Sequence, residues 1–108
     1  MLQARYVAGG YTVARFEGRL DAITSAAAET GLAAMVAAGP VVADMEQVRY
    51  ISSMGLRVLL KAARLAKESG HRFAVSGLQP AVREVFEIAG FDRLIANFTT
   101  VAEATAAG

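Results

Sequence analysis

Tyr50-Ile51-Ser52-Ser53-Met54-Gly55-Leu56-Arg57-Val58-Leu59-Leu60 decides how the chain is read. A short apolar stretch passes through two hydroxyls into an amphipathic helix. Serine at such a junction is a natural N-cap, because its oxygen accepts a bond from a backbone N–H that has no partner in the first turn. The same free N–H groups, with the helix dipole, favour negative charge. A phosphate at this point changes the surface charge and leaves the fold intact. Beyond it, Leu56, Leu59, Leu60 and Ala63 recur at i, i+3, i+4 and i+7, while Arg57, Lys61, Arg64 and Glu68 take the opposite side. The spacing predicts a helix over 53–69, with Gly70 as its C′ residue. The cations Arg57, Lys61, Arg64 and Lys67 read as a solvated helix face, with an acidic partner as the functional alternative.

Upstream, Leu2 to Ala8 and Tyr11 to Phe16 read as two strands joined by the Gly9-Gly10 turn. In the second strand Tyr11, Val13 and Arg15 share one face, and Thr12, Ala14 and Phe16 the other. Glu17 to Asp21 is expected to be a loop. Thr24 and Ser25 are placed to cap a helix running to about Ala38, with Leu32, Met35 and Val36 inward, and Gly39-Pro40 ends it. Val41-Val42-Ala43-Asp44 is apolar until its final acid, as in a central strand buried on both faces. Downstream come a strand over 72–76, a helix opened by Gln79 and Pro80, and a strand over 94–98. The core face of that helix is expected at Val82, Val85, Phe86 and Ala89, with Gly90 as its stop. A final alanine-rich helix follows, capped by Thr99 or Thr100, with Val101 and Ala104 inward.

The order is therefore β-β-α-β-α-β-α-β-α. Alternating strands and helices imply right-handed crossovers and an α/β fold with a mixed, mostly parallel five-stranded sheet and about four helices, the first hairpin giving it an antiparallel edge. The whole chain, 1–108, reads as one domain.

Composition narrows the function. Hydrophobic residues make up 55%, much of it alanine, and no apolar run approaches the ~18–20 residues of a membrane span. No membrane insertion and no secretory signal are expected, and a cytoplasmic location fits. Eleven basic and ten acidic residues leave a net charge of +1, without the basic excess of a nucleic-acid binder. There is no cysteine and one histidine, His71, which reads as a plain surface residue. Metal sites, bound cofactors and enzymatic catalysis thus have few candidate residues.

Three segments, in order, carry a family likeness. Gly18-Arg19-Leu20-Asp21 is similar to a G-x-L-D motif after a second strand. Val42-Ala43-Asp44-Met45 through Leu60 is similar to D-L-x-x-V-x-x-[IM]-D-S-[ST]-G-L-x-x-L. Gln79-Pro80-Ala81-Val82 through Asp92 is similar to S-P-A-V-x-x-[VL]-[FL]-x-x-[AT]-G-L. Together they make the chain resemble a STAS domain, the fold of bacterial anti-sigma-factor antagonists, over nearly its whole length. The resemblance implies a phosphoacceptor two residues before the glycine of the second motif, which is Ser53. It implies binding to an anti-sigma serine kinase when Ser53 is free, release on phosphorylation, and reversal by a metal-dependent serine phosphatase.

Three positions depart from the family pattern. Ser52 stands where the family has aspartate and supplies a second hydroxyl, the alternative acceptor. Met54 replaces a small residue, and Arg57 stands where a second glycine is usual, placing a cation near the acceptor. Asp21, Ser52, Ser53, Met54, Gly55 and Arg57 are the expected partner-binding residues. A stand-alone STAS subunit of a membrane lipid transporter and a scaffold subunit of a signalling assembly are the competing functions. A monomer or weak homodimer is expected.

Overall fold

Two glycines set the first corner. Gly9 and Gly10 both take positive φ, +56° and +84°, the pairing that a tight hairpin demands and side chains resist. In the computed structural model, which describes residues 1–107, they join β1 (Leu2–Ala8) to β2 (Tyr11–Leu20) in antiparallel register, Ala8 opposite Tyr11. Then follow α1 (Ser25–Ala38), β3 (Val41–Ile51), α2 (Ser53–Glu68), β4 (Phe73–Ser76), α3 (Pro80–Ile88), a 3-10 turn (Phe91–Arg93), β5 (Ala96–Phe98) and α4 (Val101–Ala106). The strands lie in the order β1-β2-β3-β4-β5, with β2 to β5 parallel. The mixed five-stranded sheet with four helices is the architecture expected from the element order.

Each parallel strand sits beside its predecessor, so right-handed crossovers put α1, α2 and α3 on one face of the sheet. There Leu32, Val36, Leu59, Val82 and Phe86 pack on Phe16, Ala43, Met45 and Val75. The opposite face receives only the short α4, whose Ala104 joins Tyr11, Val13 and Val42. Val41 to Met45 are all buried, as expected of a central strand.

Several elements differ from the reading of periodicity. β2 continues through Leu20, where a loop was expected over Glu17 to Asp21. Glu17 and Gly18 pair with Gln47 and Val48, and Arg19 and Leu20 with Tyr50 and Ile51. Register shifts at Arg15/Glu17 and Gly18/Arg19 break the period of two, which is why the strand is invisible to alternation. Of the two readings open for Met45 to Ile51, a loop or a strand extension, the structure has the strand, so Asp44 is buried in mid-strand. Its carboxylate accepts from Arg15 Nε at 3.4 Å and from the Glu46 N–H at 3.1 Å.

The last strand begins at Ala96, because the 3-10 turn occupies the approach and Leu94 stays exposed. On α2 the buried side is Leu56, Val58, Leu59, Ala62 and Ala66, with Leu60 and Ala63 half-buried. The helix is turned toward α1, against which Val58, Ala62 and Leu65 line a small groove with Ala33. On α3 only Val82 and Phe86 are buried. Val85 and Ala89 face outward, since a nine-residue helix meets the core along a single i, i+4 seam. His71, expected at the surface, is half-buried and its Nδ1–H donates to the Val36 carbonyl at 2.7 Å, tying the start of β4 to the end of α1.

Phe86 is fully buried and meets Phe91 edge-to-face, ring centroids 5.9 Å apart. Phe86→Ala should lower the unfolding free energy by about 3–5 kcal/mol in urea titrations. Ile88→Ala, two residues on but exposed, should stay within about 0.5 kcal/mol of the wild type.

Candidate functional site

β2 and β3 outrun β4, so their C-terminal ends project together beyond the rest of the sheet. Ligand and partner sites of open α/β sheets form at this end of parallel strands. Here one atom joins the end of β2 to the start of α2, the Leu20 carbonyl oxygen. It accepts the Ser52 N–H at 2.9 Å as β3 turns into α2. It also lies against Gly55. A Cβ on Gly55 would collide with that oxygen and come within 2.9 Å of Ile51 Cγ1 and 3.0 Å of Leu20 Cγ. The glycine is required for close approach, and its burial seats the first turn of α2 on the end of β2.

The two serines divide the work. Ser52 is the N-cap: its backbone is extended, and its Oγ accepts from the Gly55 N–H at 3.2 Å. It is half-buried, with Oγ also 3.5 Å from the Leu20 oxygen. Ser53 is the first helical residue, is exposed, and takes no part in the cap. Met54 beside it is 46% exposed, and Arg57 stands exposed one turn further along. Of the expected contact residues, Gly55 is buried, and its place in the site is to let the first turn of α2 come close to β2.

Asp21 closes the loop between β2 and α1. Its Oδ1 accepts from the N–H groups of Ile23 (3.0 Å) and Thr24 (3.2 Å), and its Oδ2 from Arg19 Nε (3.1 Å). These bonds hold its carboxyl below the usual carboxylate range, the Arg19 hydrogen bond being the largest cause and the backbone donors adding to it. Thr24 occupies the N-cap position of α1 but does not cap with its side chain. Its Oγ1 instead accepts from the Asp21 N–H at 3.0 Å and donates to the Arg19 carbonyl at 2.9 Å. Ser25 Oγ donates to the Asp21 carbonyl. The loop is thereby fixed with Ile23 pointing out, 90% exposed.

Periodicity did not single out Arg19, Tyr50 or Ile23 as site residues. The Arg19 guanidinium lies 4.1 Å above the centre of the Tyr50 ring while its Nε holds Asp21. Arg19 and Tyr50 are register partners across β2 and β3. Both stood inside the quoted motifs, and the cross-strand pairing that joins them becomes visible only once β2 is known to extend to Leu20.

The adjoining depression, about 630 Å³, is lined by charges of both signs from Glu17, Asp21, Arg19 and Arg49. Among the described residues no cluster of His, Asp or Glu is placed to hold a metal, and no helix is long and apolar enough to cross a membrane. The site is an exposed hydroxyl beside projecting apolar side chains, on a rigidly capped helix end.

The model of the STAS domain matches residues 4–104. The chain belongs to the STAS domain family. This STAS domain is 39% identical, over 84 residues, to BtrV of Bordetella bronchiseptica, described as a candidate anti-sigma factor antagonist; the match covers 76% of this chain and 72% of BtrV. It superposes on an anti-sigma factor antagonist from Mycobacterium paratuberculosis with a TM-score of 0.86 and 26% identity, covering 96% of this chain and 90% of that one. It also superposes on the Bacillus cell fate determinant SpoIIAA in its phosphorylated form, with a TM-score of 0.73 and 20% identity, covering 96% of both chains.

The division between the serines has a measurable consequence. Ser52→Ala removes the cap and should cost about 1 kcal/mol of stability, whereas Ser53→Ala should shift it by less than about 0.5 kcal/mol in urea titrations. For Asp21 the lowered folded pKa fixes the sign. Its contribution to stability is present above the ordinary carboxylate pKa of about 4 and is lost as pH falls through the lower folded value. Asp21→Asn should therefore reduce the loss of thermal stability on acidification below about pH 4, read from melting temperatures across a pH series.

Proposed function

We propose that this STAS domain is a cytoplasmic anti-sigma-factor antagonist that docks an anti-sigma serine kinase through the projecting ends of β2 and β3 and the start of α2. Phosphorylation of Ser53 releases it. The kinase moves the γ-phosphoryl group of ATP to Ser53 Oγ, with loss of the hydroxyl proton and formation of ADP. A serine phosphatase hydrolyses the ester to the free hydroxyl and inorganic phosphate.

The observation that carries this reading is the exposed, uncommitted position of Ser53 beside a cap made by another residue. Ser52 is the poorer acceptor on the same grounds. Its oxygen is half-buried, accepts from Gly55 N–H and faces the Leu20 carbonyl, so a phosphate there would break the cap and crowd an oxygen. At this end of the sheet the exposed side chains of Ile23, Tyr50 and Met54 supply apolar contact area. Methionine suits such a surface because its unbranched chain adapts to irregular partners. Asp21 takes part by fixing the loop that carries Ile23 and by holding Arg19 over Tyr50.

The magnitude is adequate without a change of shape. A phosphoserine carries roughly −1.5 to −2 charges at neutral pH. Burying it uncompensated in an interface costs several kcal/mol, and each 1.4 kcal/mol is about a factor of ten in affinity. A cost of about 3–4 kcal/mol is enough to release a submicromolar partner.

Incubation with the cognate anti-sigma kinase and ATP should add one phosphate to the wild type and to Ser52→Ala, but not to Ser53→Ala, as read by intact mass. Calorimetric titration of the kinase should give affinity at least about 100-fold weaker for Ser53→Glu than for Ser53→Ala. Equal affinities, or a phosphate lost only in Ser52→Ala, would overturn the assignment.

A further inference from the structure

The first turn of α2, like those of α1 and α3, leaves the positive end of the helix dipole unanswered. It holds no acidic residue, although the positive end of the helix dipole favours one. One turn in, it places the cation Arg57. Some cations nearby are balanced. Arg19 holds Asp21 at 3.1 Å, Arg15 holds the buried Asp44 at 3.4 Å, and Lys61 reaches Glu29 at 3.3 Å. Arg57 has no acidic partner among the described residues. An acid-free helix start with an unpaired cation one turn on is a place where an added negative charge finds a partner.

Residues 53 and 57 are four apart on one helix, so their side chains are neighbours on the same face. Both are exposed, leaving the Arg57 guanidinium free to swing toward residue 53. An acid N-terminal to a cation at this spacing is the favourable order. A guanidinium matches phosphate oxygens with two parallel N–H donors.

We infer that Arg57 is the built-in counter-ion of phosphorylated Ser53: the modified serine supplies the missing negative charge at the helix start, and Arg57 closes on it as an i, i+4 pair. The inference rests on the phosphoacceptor reading above. It adds a consequence for the switch. The modification introduces an anion and at the same time takes from the docking face the cation that the unmodified domain presents there. It also makes the phosphorylated form the more stable of the two.

The test installs phosphoserine at position 53 of the full chain during translation, without the kinase, in the wild type and in Arg57→Gln and Arg57→Lys. Phosphorus NMR then follows the second ionisation of the single phosphate. Its pKa should lie about 0.3–0.5 units lower in the wild type than in Arg57→Gln, a two- to three-fold change in the proton dissociation constant. Arg57→Lys should fall between them, because it keeps the charge and loses the two-pronged geometry. Phosphorylation should raise the melting temperature more in the wild type than in Arg57→Gln, while the unmodified forms of the two melt together. Identical phosphate pKa values in the wild type and Arg57→Gln would overturn the pairing. Since no kinase is used, a chain that the kinase ignores still tests the pair. A chain that the kinase modifies without any Arg57 effect sinks the pair alone.

Discussion

The Leu20 carbonyl oxygen is the point on which the site is built. It ends β2, accepts the Ser52 N–H at the end of β3 and presses on Gly55 in the first turn of α2. A backbone acceptor at a strand end that is left without a donor costs about 1–3 kcal/mol. Here the donor is the residue that also caps the next helix. One hydrogen bond therefore fixes both where β3 stops and where α2 begins. The absence of a side chain at Gly55 lets the helix come close enough for this to happen. Everything exposed at this end, Ser53, Met54 and Arg57 included, is positioned by contacts beneath it that those residues do not make.

The same separation of support from surface holds in the neighbouring loop. Asp21 uses both carboxylate oxygens on its own surroundings, with Ile23 N–H, Thr24 N–H and Arg19 as donors. Arg19 in turn stacks on Tyr50, two residues before the cap of α2. The β2–α1 loop and the β3–α2 junction are thus linked twice, by the Leu20–Ser52 backbone bond and by the Asp21–Arg19–Tyr50 chain. Neither link uses the Ser53 hydroxyl. A surface assembled this way keeps its backbone geometry whatever the chemical state of residue 53, so under the proposed switch a modification there would act on a partner through charge and bulk.

How much of this could be read in the chain depends on which physical signal each feature leaves. The helices left the period of 3.6 at Leu56 and Leu59 and at Val82 and Phe86, and their ends left Gly70, Pro80 and Gly90, so element order and sheet type were legible. The far half of β2 left no such trace. Bulges at Arg15/Glu17 and Gly18/Arg19 shift the alternation, and a glycine with φ of +80° reads as a loop. The outward turn of Val85 and Ala89 was hidden because both satisfy helical spacing, and only the width of the seam decides which apolar positions are used. At the site, the spacing named a hydroxyl pair but not which member caps. That distinction rests on backbone dihedrals: Ser52 is extended at φ −94°, ψ 175°, and the helix begins at Ser53. Gly55 was legible as a motif residue and opaque as to cause, because the atom it avoids belongs to a strand 35 positions earlier in the chain.

The cap assignment also constrains which serine can act as a reversible switch. A modified N-cap oxygen would give up its bond to the Gly55 N–H, worth about 1 kcal/mol, and add negative charge beside the Leu20 oxygen, so fold and signal would be coupled. A modified Ser53 keeps that cap, meets free N–H groups and the favourable end of the dipole, and has solvent on its other side. The domain then stays folded in both states, and the phosphate can act on the encounter with a partner. Under this argument the unusual Ser52, in place of an acid, is a structural hydroxyl. It does the capping that leaves its neighbour free, and it keeps the first turn of α2 without a negative charge until one is added.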